Sequence, residues 1–264
     1  AAATATVRNG LFHNVLTNVS TTVSNAVMIG EHVTVNTATW LNPNSALKVV
    51  LTNSILAGVT NTNPYTNVNV SVASSPASVF QVVGAGSNYL QAGNTNRNAG
   101  VTTINVQLAS DLKLMTTTAP TVNTSTYTTN ITLSPVVARD TDIPDRGYHY
   151  WPVDYAVNQM TVTNAAVTLT NGVAVAVFGS SGLGLRIVGP ASLCVQGSPT
   201  NMVRFTRFTS VQEQPFFWSG KPPGGVVTLS SGTTNTFGIR FAEFSYLPTS
   251  PKDYPFWTDG SPIT

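Results

Sequence analysis

The chain has 264 residues, of which 12 are Lys or Arg and 10 are Asp or Glu, so that charged residues make up only 8%, against about 25% in an average soluble domain. Hydrophobic residues make up 42%, which excludes a disordered polar chain. The formal net charge is +2, and no Lys/Arg cluster occurs. The sequence therefore argues against nucleic-acid binding, which needs a basic stripe to neutralise phosphates.

Two further compositional features limit the protein class. No apolar run reaches the ~18 residues of a membrane-spanning segment, so we expect no membrane span. Cys194 is the only cysteine, which excludes an intrachain disulfide, and its apolar neighbours suggest a small core residue. The abundance of Thr and Asn and the scarcity of Lys and Glu favour an extracellular or cell-surface location.

The first stretch, 1–75, carries a repeat. Apolar runs begin near residues 7, 26, 47 and 68, at spacings of 19, 21 and 21 residues, and they end in Asn or Gly. A repeat of about 20 residues with a turn after each strand is typical of a solenoid, in which each strand pairs with its equivalent one coil away. An Asn that recurs after a strand can adopt the left-handed conformation and stack its amide on its neighbours. We predict a first run of β-helix coils here.

The second stretch, 76–159, interrupts this rhythm, and we predict an irregular joining segment. Residues 108–114 form the one plausible short helix of this stretch. The segment Asp140–Tyr155 near its end is the densest cluster of charged and aromatic residues in the chain.

The third stretch, 160–212, resumes the repeat with short alternating strands separated by Asn-Gly or Gly, which are strand and turn signals. It is predicted to be a second run of coils. The tail, 213–264, is rich in Pro, Gly and aromatic residues and is predicted to be a cap or an interface. One further coil is expected at 226–229 and 237–244.

These patterns together predict an all-β protein, specifically a right-handed parallel β-helix. A pair of antiparallel β-sandwiches is the alternative, because alternating strands also suit that fold.

A family resemblance supports the first fold. The run Val-x-Leu-x-Asn-Gly-Val-x-Val-x-Val-Phe-Gly, which begins at Val167, is similar to the coils of right-handed parallel β-helix proteins. The segment Asp140–Tyr155 resembles a segment that joins two runs of coils in uncharacterised secreted or surface proteins of environmental bacteria, of the Verrucomicrobia or Planctomycetes type. The resemblance implies the fold and the location. It carries no established activity, so it transfers no catalytic residue.

Three carboxylates, Asp140, Asp142 and Asp145, form the motif Asp-x-Asp-x-x-Asp. Clustered carboxylates on a loop suit Ca²⁺, which prefers several hard oxygen ligands, although this spacing is not that of an EF-hand loop. Ion pairs with Arg139 and Arg146 are the competing interpretation. Calcium is the one cofactor that the sequence suggests.

A group of ring-bearing residues, at positions 148–151, follows the aspartate motif. A strand would place Tyr148 and Tyr150 on one face and His149 and Trp151 on the other. These four residues suit either a platform for sugar rings or a hydrophobic plug over one end of a coil run.

A second aromatic group lies in the tail, where a cap over an exposed coil end and a docking surface for a partner or a glycan need the same residue types. Its members are Phe216, Phe217, Trp218, Tyr254, Phe256 and Trp257.

Catalytic groups are scarce. A polysaccharide hydrolase needs two carboxylates facing one cleft, and Glu31 is the one acid in the stretches 7–75 and 160–212. We therefore expect a non-catalytic structural protein, a filament subunit, spacer or adhesin that associates with itself, head to tail. The alternative is a carbohydrate-binding or polysaccharide-degrading protein that uses the segment Asp140–Tyr155.

Overall fold

The computed structural model describes residues 3–43, 46–62, 64–84, 86–178, 183–208, 224–229, 235–245 and 253–258. The protein is all-β, with 50% strand and 5% helix. It divides into two compact units. Unit 1 comprises Ala1–Val82, Ser87–Thr118 and Ala138–Trp151, and unit 2 comprises Val83–Gly86, Ala119–Val137 and Pro152–Thr264.

Unit 1 is built on two parallel sheets. Its strands are β1 (Thr4–Arg8), β2 (Leu11–Thr17), β3 (Val27–Glu31), β4 (Thr34–Trp40), β5 (Lys48–Thr52), β6 (Ile55–Asn61), β7 (Thr66–Val68) and β8 (Ser71–Ala73). The sheet orders are β1-β3-β5-β7 and β2-β4-β6-β8, and each of these pairs is parallel. Each strand thus pairs with its equivalent one repeat later, as the spacing of apolar runs predicts.

A column of left-handed residues follows the first sheet. Asn9, His32, Asn53 and Asn69 come directly after β1, β3, β5 and β7 and have φ of 50°, 53°, 48° and 64°. Asn tolerates this conformation better than most residues because its short polar side chain can bond locally. The predicted Asn at the corner is confirmed, except that His32 occupies the second position. We call these four residues the corner column.

A second left-handed column bends the other sheet. Asn14, Thr37 and Gly58 have φ of 54°, 62° and 65° and lie at matching positions within β2, β4 and β6. Each of these strands is therefore two short straight pieces joined at a bend. The pattern of apolar residues on either side of the bend faces the core, where Val35 and Leu56 are fully buried.

Unit 1 also contains less regular segments. A short 3₁₀ turn (Pro76–Ser78) precedes β9 (Phe80–Val83), which pairs with β10 (Gly86–Leu90). The helix α1 (Val106–Leu112) begins at Asn105, whose side chain accepts a hydrogen bond from the N–H of Leu108 at 3.1 Å. The sequence-based helix, 108–114, is confirmed with a shift of two residues.

Unit 2 has three strands per repeat. Its strands are β11 (Thr121–Asn123), β12 (Thr126–Tyr127), β13 (Ile131–Leu133), β14 (Tyr155–Val157), β15 (Met160–Thr163), β16 (Ala166–Leu169), β17 (Ala174–Val177), β18 (Leu185–Val188), β19 (Ser192–Gln196), β20 (Val203–Arg207), β21 (Gly224–Leu229), β22 (Thr236–Arg240), β23 (Ala242–Ser245) and β24 (Asp253–Thr258). The sheet orders are β11-β14-β17-β20-β23, β12-β15-β18-β21-β24 and β13-β16-β19-β22. Every pair is parallel.

The parallel ladders exclude the antiparallel sandwich pair for the described strands, so that alternative is wrong. The structure also differs from the predicted segment bounds. The stacked strands of unit 2 begin at β11, inside the stretch expected to be irregular, and continue through β24 into the tail, where one further coil is expected at 226–229 and 237–244. The strands β11 to β13 have only two or three residues each, too few to show a periodic pattern.

Cys194 corrects one core assignment. It lies on β19 between the buried residues Leu193 and Val195, and it is half-exposed. Because side chains alternate across a strand, Cys194 shares the outer face with Ser192. The prediction of a core cysteine was wrong, since the apolar neighbours occupy the opposite face.

Candidate functional site

His149 and Asp140 form a buried side-chain pair in unit 1. The Nε2 atom of His149 is 2.6 Å from Oδ2 of Asp140, and the two side chains are 0% and 3% exposed. The Nδ1 atom of His149 is 3.0 Å from the carbonyl oxygen of Gly147. The two ring nitrogens therefore lie beside a carbonyl oxygen and a carboxylate oxygen.

His32, from the corner column, packs against this pair. Its ring centroid is 5.3 Å from that of His149, in an edge-to-face arrangement. Its Nε2 atom is 3.0 Å from Nδ2 of Asn53. The Oδ1 atom of Asn53 accepts from the N–H of Val101 at 2.8 Å, which fixes Nδ2 as the donor toward His32. Neutral His32 therefore carries its proton on Nδ1.

The environment of His32 disfavours the charged form. Burial is the largest cause and the charge of His149 is the next, and together they lower the pKa of His32 from 6.5 to about 3. Asp140 and the backbone of Gly147 and Asp145 act in the opposite direction. Nδ1 of His32 is buried and has no hydrogen-bond partner of good geometry, so these backbone groups compensate only in part.

The corner column holds the segment Asp140–Trp151 in place. The Oδ1 atom of Asn9 accepts from the N–H of His149 at 2.7 Å, and Nδ2 of Asn9 donates to the carbonyl of His149 at 2.9 Å. At the other end of the column, the guanidinium of Arg146 donates to Oδ1 of Asn69, from Nε at 3.0 Å and also from Nη2. The column thus binds backbone at one end and a cation at the other.

The column also holds the loop that precedes α1. Nδ2 of Asn53 donates to the carbonyl of Val101 at 2.8 Å, and Nδ2 of Asn69 donates to the carbonyl of Ala99 at 2.7 Å. Asn69 also donates to Oδ1 of Asn53 at 2.9 Å. Amides stacked one repeat apart therefore bind each other and the two loops that cover them.

Two of the three clustered carboxylates are buried inside this network. Oδ1 of Asp145 accepts from the N–H of Asn98 at 2.6 Å, and its Oδ2 accepts from the hydroxyl of Thr117 and lies 3.5 Å from Nη1 of Arg97. Oδ2 of Asp140 also accepts from the N–H of Asp145 at 2.8 Å. Asp142, in contrast, is exposed.

These contacts bear on the two interpretations of the aspartate cluster, a calcium site and a set of ion pairs. In the described part of the chain, no three or more His, Cys, Asp and Glu side chains form a group that could hold a metal ion. Ion pairing does occur, between Arg97 and Asp145 and between His149 and Asp140. Arg146, which the sequence suggested as a partner, donates instead to Asn69 and, at 3.5 Å, to Asn96.

A polar cavity of about 400 Å³ opens beside these carboxylates. It lies wholly within unit 1, and its walls combine two arginines, three aspartates and four threonines. The lining residues are Arg97, Asn98, Thr116, Thr117, Thr118, Ala138, Arg139, Asp140, Thr141, Asp142 and Asp145.

The aromatic residues after Gly147 are mostly internal. Tyr150 is 1% exposed, its hydroxyl accepts from the N–H of Asn88 at 3.1 Å, and its ring centroid is 4.4 Å from that of Tyr89. Tyr148 is half-buried with its ring centroid 4.8 Å from that of Tyr150. His149 is buried, and only Trp151 is exposed, at 54%. This burial favours a plug over a platform for sugar rings.

The aromatic residues of the tail are described only in part. Phe216, Phe217 and Trp218 lie outside the described residues. Tyr254 and Trp257 lie on β24, of which only the backbone is described at these two positions. Phe256 is half-buried, with its ring centroid 5.0 Å from that of Phe244.

Comparison with protein-family models, curated proteins and solved structures finds no match. The resemblance to bacterial β-helix proteins therefore stays a prediction. None of the helices in the described ranges is long and apolar enough to span a membrane.

We expect the stability of unit 1 to fall as the pH decreases from about 6.5 to about 3. In this window the unfolded chain protonates His32 and the folded chain does not, which lowers the unfolding free energy by about 1.4 kcal/mol per pH unit. Amide hydrogen exchange of unit 1 at several pH values measures this. The variant His32→Asn, which restores Asn throughout the column, should lose this part of the slope. An equal slope in both proteins would contradict the assignment.

We also expect Gly147→Ala to release the segment Asp140–Trp151. Gly147 has φ of 87°, and a Cβ atom there would lie 2.6 Å from Oγ1 of Thr34 and 2.7 Å from Cδ1 of Ile55. Limited proteolysis within the segment measures the release. Gly93→Ala is the matched control, because Gly93 has φ of 72° and nothing within 4 Å of its Cβ position. If the protease cleaves the segment Asp140–Trp151 equally slowly in both variants, the close approach of Gly147 to Thr34 and Ile55 is not needed to hold the segment in place.

Proposed function

We propose that this chain is a right-handed parallel β-helix with a non-catalytic, structural role. In each of the parallel sheets, neighbouring strands are one repeat apart in the sequence. Each repeat contributes two strands in unit 1 and three strands in unit 2, which supports the coil arrangement. Connections between parallel strands of one sheet are right-handed in about 98% of cases, and this supports the handedness.

The proposal depends on one observation: the buried carboxylates are hydrogen-bonded to donors of this same chain. Asp140 is occupied by His149 and by a backbone N–H, and Asp145 by a backbone N–H, a hydroxyl and an arginine. In unit 2, Asp154 is fully buried and accepts from the N–H groups of Val136, Val137 and Ala174 at 2.9–3.1 Å. A carboxylate that satisfies buried backbone donors stabilises the fold, and this supports a structural role.

The proposed setting is outside the cell, where the chain acts as a spacer, an adhesin or a filament subunit. The low content of charged residues and the abundance of Thr and Asn in the sequence support this location. A stacked β architecture presents a long, regular surface and suits such roles.

Electron microscopy of the protein isolated from its native source tests the structural role. We expect regular rods or filaments, and incubation with a panel of polysaccharides should release no reducing ends. Depolymerisation of a polysaccharide that is lost in Asp142→Asn, with the fold retained, would contradict the proposal. His13, which is exposed and lies outside the cavity lining, offers the control variant His13→Gln.

A carbohydrate-binding role is the second candidate, and the polar cavity beside Asp140 and Asp145 is the observation that favours it. Hydroxyl-rich ligands suit a cavity lined by arginine, aspartate and threonine side chains. We expect that millimolar Ca²⁺ leaves the melting temperature of unit 1 unchanged, because the two buried carboxylates of the cluster, Asp140 and Asp145, are already bonded to protein donors. A rise in melting temperature that Asp142→Asn abolishes would instead support a calcium-dependent glycan site.

A further inference from the structure

Glycine follows asparagine at two positions of the chain, Asn9-Gly10 and Asn171-Gly172. This dipeptide is chemically labile because glycine has no Cβ atom to shield its backbone nitrogen. The nitrogen attacks Cγ of the preceding asparagine when the two atoms meet. The hydrogen bonds around each asparagine therefore decide which of the two sites reacts in the folded protein.

Asn9 is held away from this reaction. Its Oδ1 atom accepts from the N–H of His149 at 2.7 Å, and its Nδ2 atom donates to the carbonyl of His149 at 2.9 Å. Nδ2 also lies 3.3 Å from Sδ of Met115. Cγ of Asn9 cannot turn toward the nitrogen of Gly10 until these bonds break. The reaction at Asn9 thus requires a local opening of unit 1.

Asn171, in contrast, is exposed. Its side chain has no hydrogen-bond partner among the residues that the structure describes. It lies in the turn between β16 and β17, in which the N–H of Val173 donates to the carbonyl of Thr170 at 3.3 Å. Gly172 has φ of 77°, as position i+2 of a type II turn requires. The side chain of Asn171 is therefore free to rotate over the backbone of this turn.

The attacking nitrogen at this turn is held weakly. The N–H of Gly172 donates to the carbonyl of Asn201 at 3.2 Å, which is the upper end of the normal range for an N–H···O bond. The bond from Val173 to Thr170 is longer still. Exposed turns with such bonds open at a small cost in free energy. Each opening gives the nitrogen of Gly172 access to Cγ of Asn171.

We propose that Asn171 is a site of spontaneous deamidation in the folded protein. The backbone nitrogen of Gly172 attacks Cγ of Asn171, so that a bond forms between these atoms and the bond from Cγ to Nδ2 breaks. The side-chain nitrogen leaves as ammonia and takes with it the proton of the Gly172 N–H. Water then hydrolyses the succinimide ring at either carbonyl, which gives aspartate or isoaspartate.

The reaction changes both the charge and the backbone of unit 2. The chain has 12 basic and 10 acidic residues, so one new carboxylate lowers the formal net charge from +2 to +1. Isoaspartate also lengthens the main chain by one carbon atom in the turn that leads into β17, a strand whose four residues are all buried. The modification does not depend on the proposed structural role.

Incubation of the full chain in mildly alkaline buffer, followed by peptic digestion at low pH and mass spectrometry, tests the site. The peptide with Asn171 should gain the mass difference between NH₂ and OH at least tenfold faster than the peptide with Asn9. Chromatography should resolve its product into an aspartate and an isoaspartate form, because the ring opens at either carbonyl. Asn171→Gln is the matched control: it keeps an exposed amide on a longer side chain that closes a ring far more slowly, so it should show no mass gain there.

The same chain in guanidinium chloride provides the reference, because unfolding removes the bonds between Asn9 and His149. Both Asn-Gly sites should then react at similar rates. Equal rates at the two sites in the folded protein would overturn the proposal. So would an Asn171 that keeps its amide in the folded protein while the unfolded chain reacts, or a product that contains aspartate without isoaspartate.

Discussion

The corner column of Asn9, His32, Asn53 and Asn69 is the constraint on which the rest of unit 1 depends. Each residue turns the chain from one parallel sheet into the next through a left-handed conformation. The three Asn side chains of the column then bond to the loops outside the sheets, including both backbone groups of His149. The residues that turn the chain therefore also anchor the loops. A repeat of about 20 residues places these residues one above the other.

The anchored segment brings charge into the interior, and the structure satisfies that charge locally. Asp140 receives His149, Asp145 receives Arg97, and Arg146 reaches Asn69. Buried charges without partners are strongly destabilising, so this density of donors is what allows an acidic, aromatic segment to cover a charge-poor stack. The same bonds give the described buried carboxylates a part in holding the fold, which connects the packing to the proposed structural role.

Part of this structure could be predicted from the sequence. Spaced apolar runs predicted parallel strands in 1–75, and the Asn after each run predicted the left-handed corner. His32 was missed because an isolated histidine has no motif. Its signal was positional, since it follows β3 as Asn9 follows β1. The pairing of His149 with Asp140 depends on a fold-back of the chain, and the strands β11 to β13 are too short to show a period.

Nuclear magnetic resonance of the two imidazole rings, with ¹⁵N labelling of histidine, tests the central claim most directly. The account predicts that His32 remains neutral with its proton on Nδ1 from pH 8 down to about pH 4, because Asn53 donates to Nε2 and His149 lies beside it. Titration of His32 near pH 6.5, or a proton on Nε2, would contradict the account. Either result would mean that His32 does not pack against Asn53 and His149 in the corner column as described.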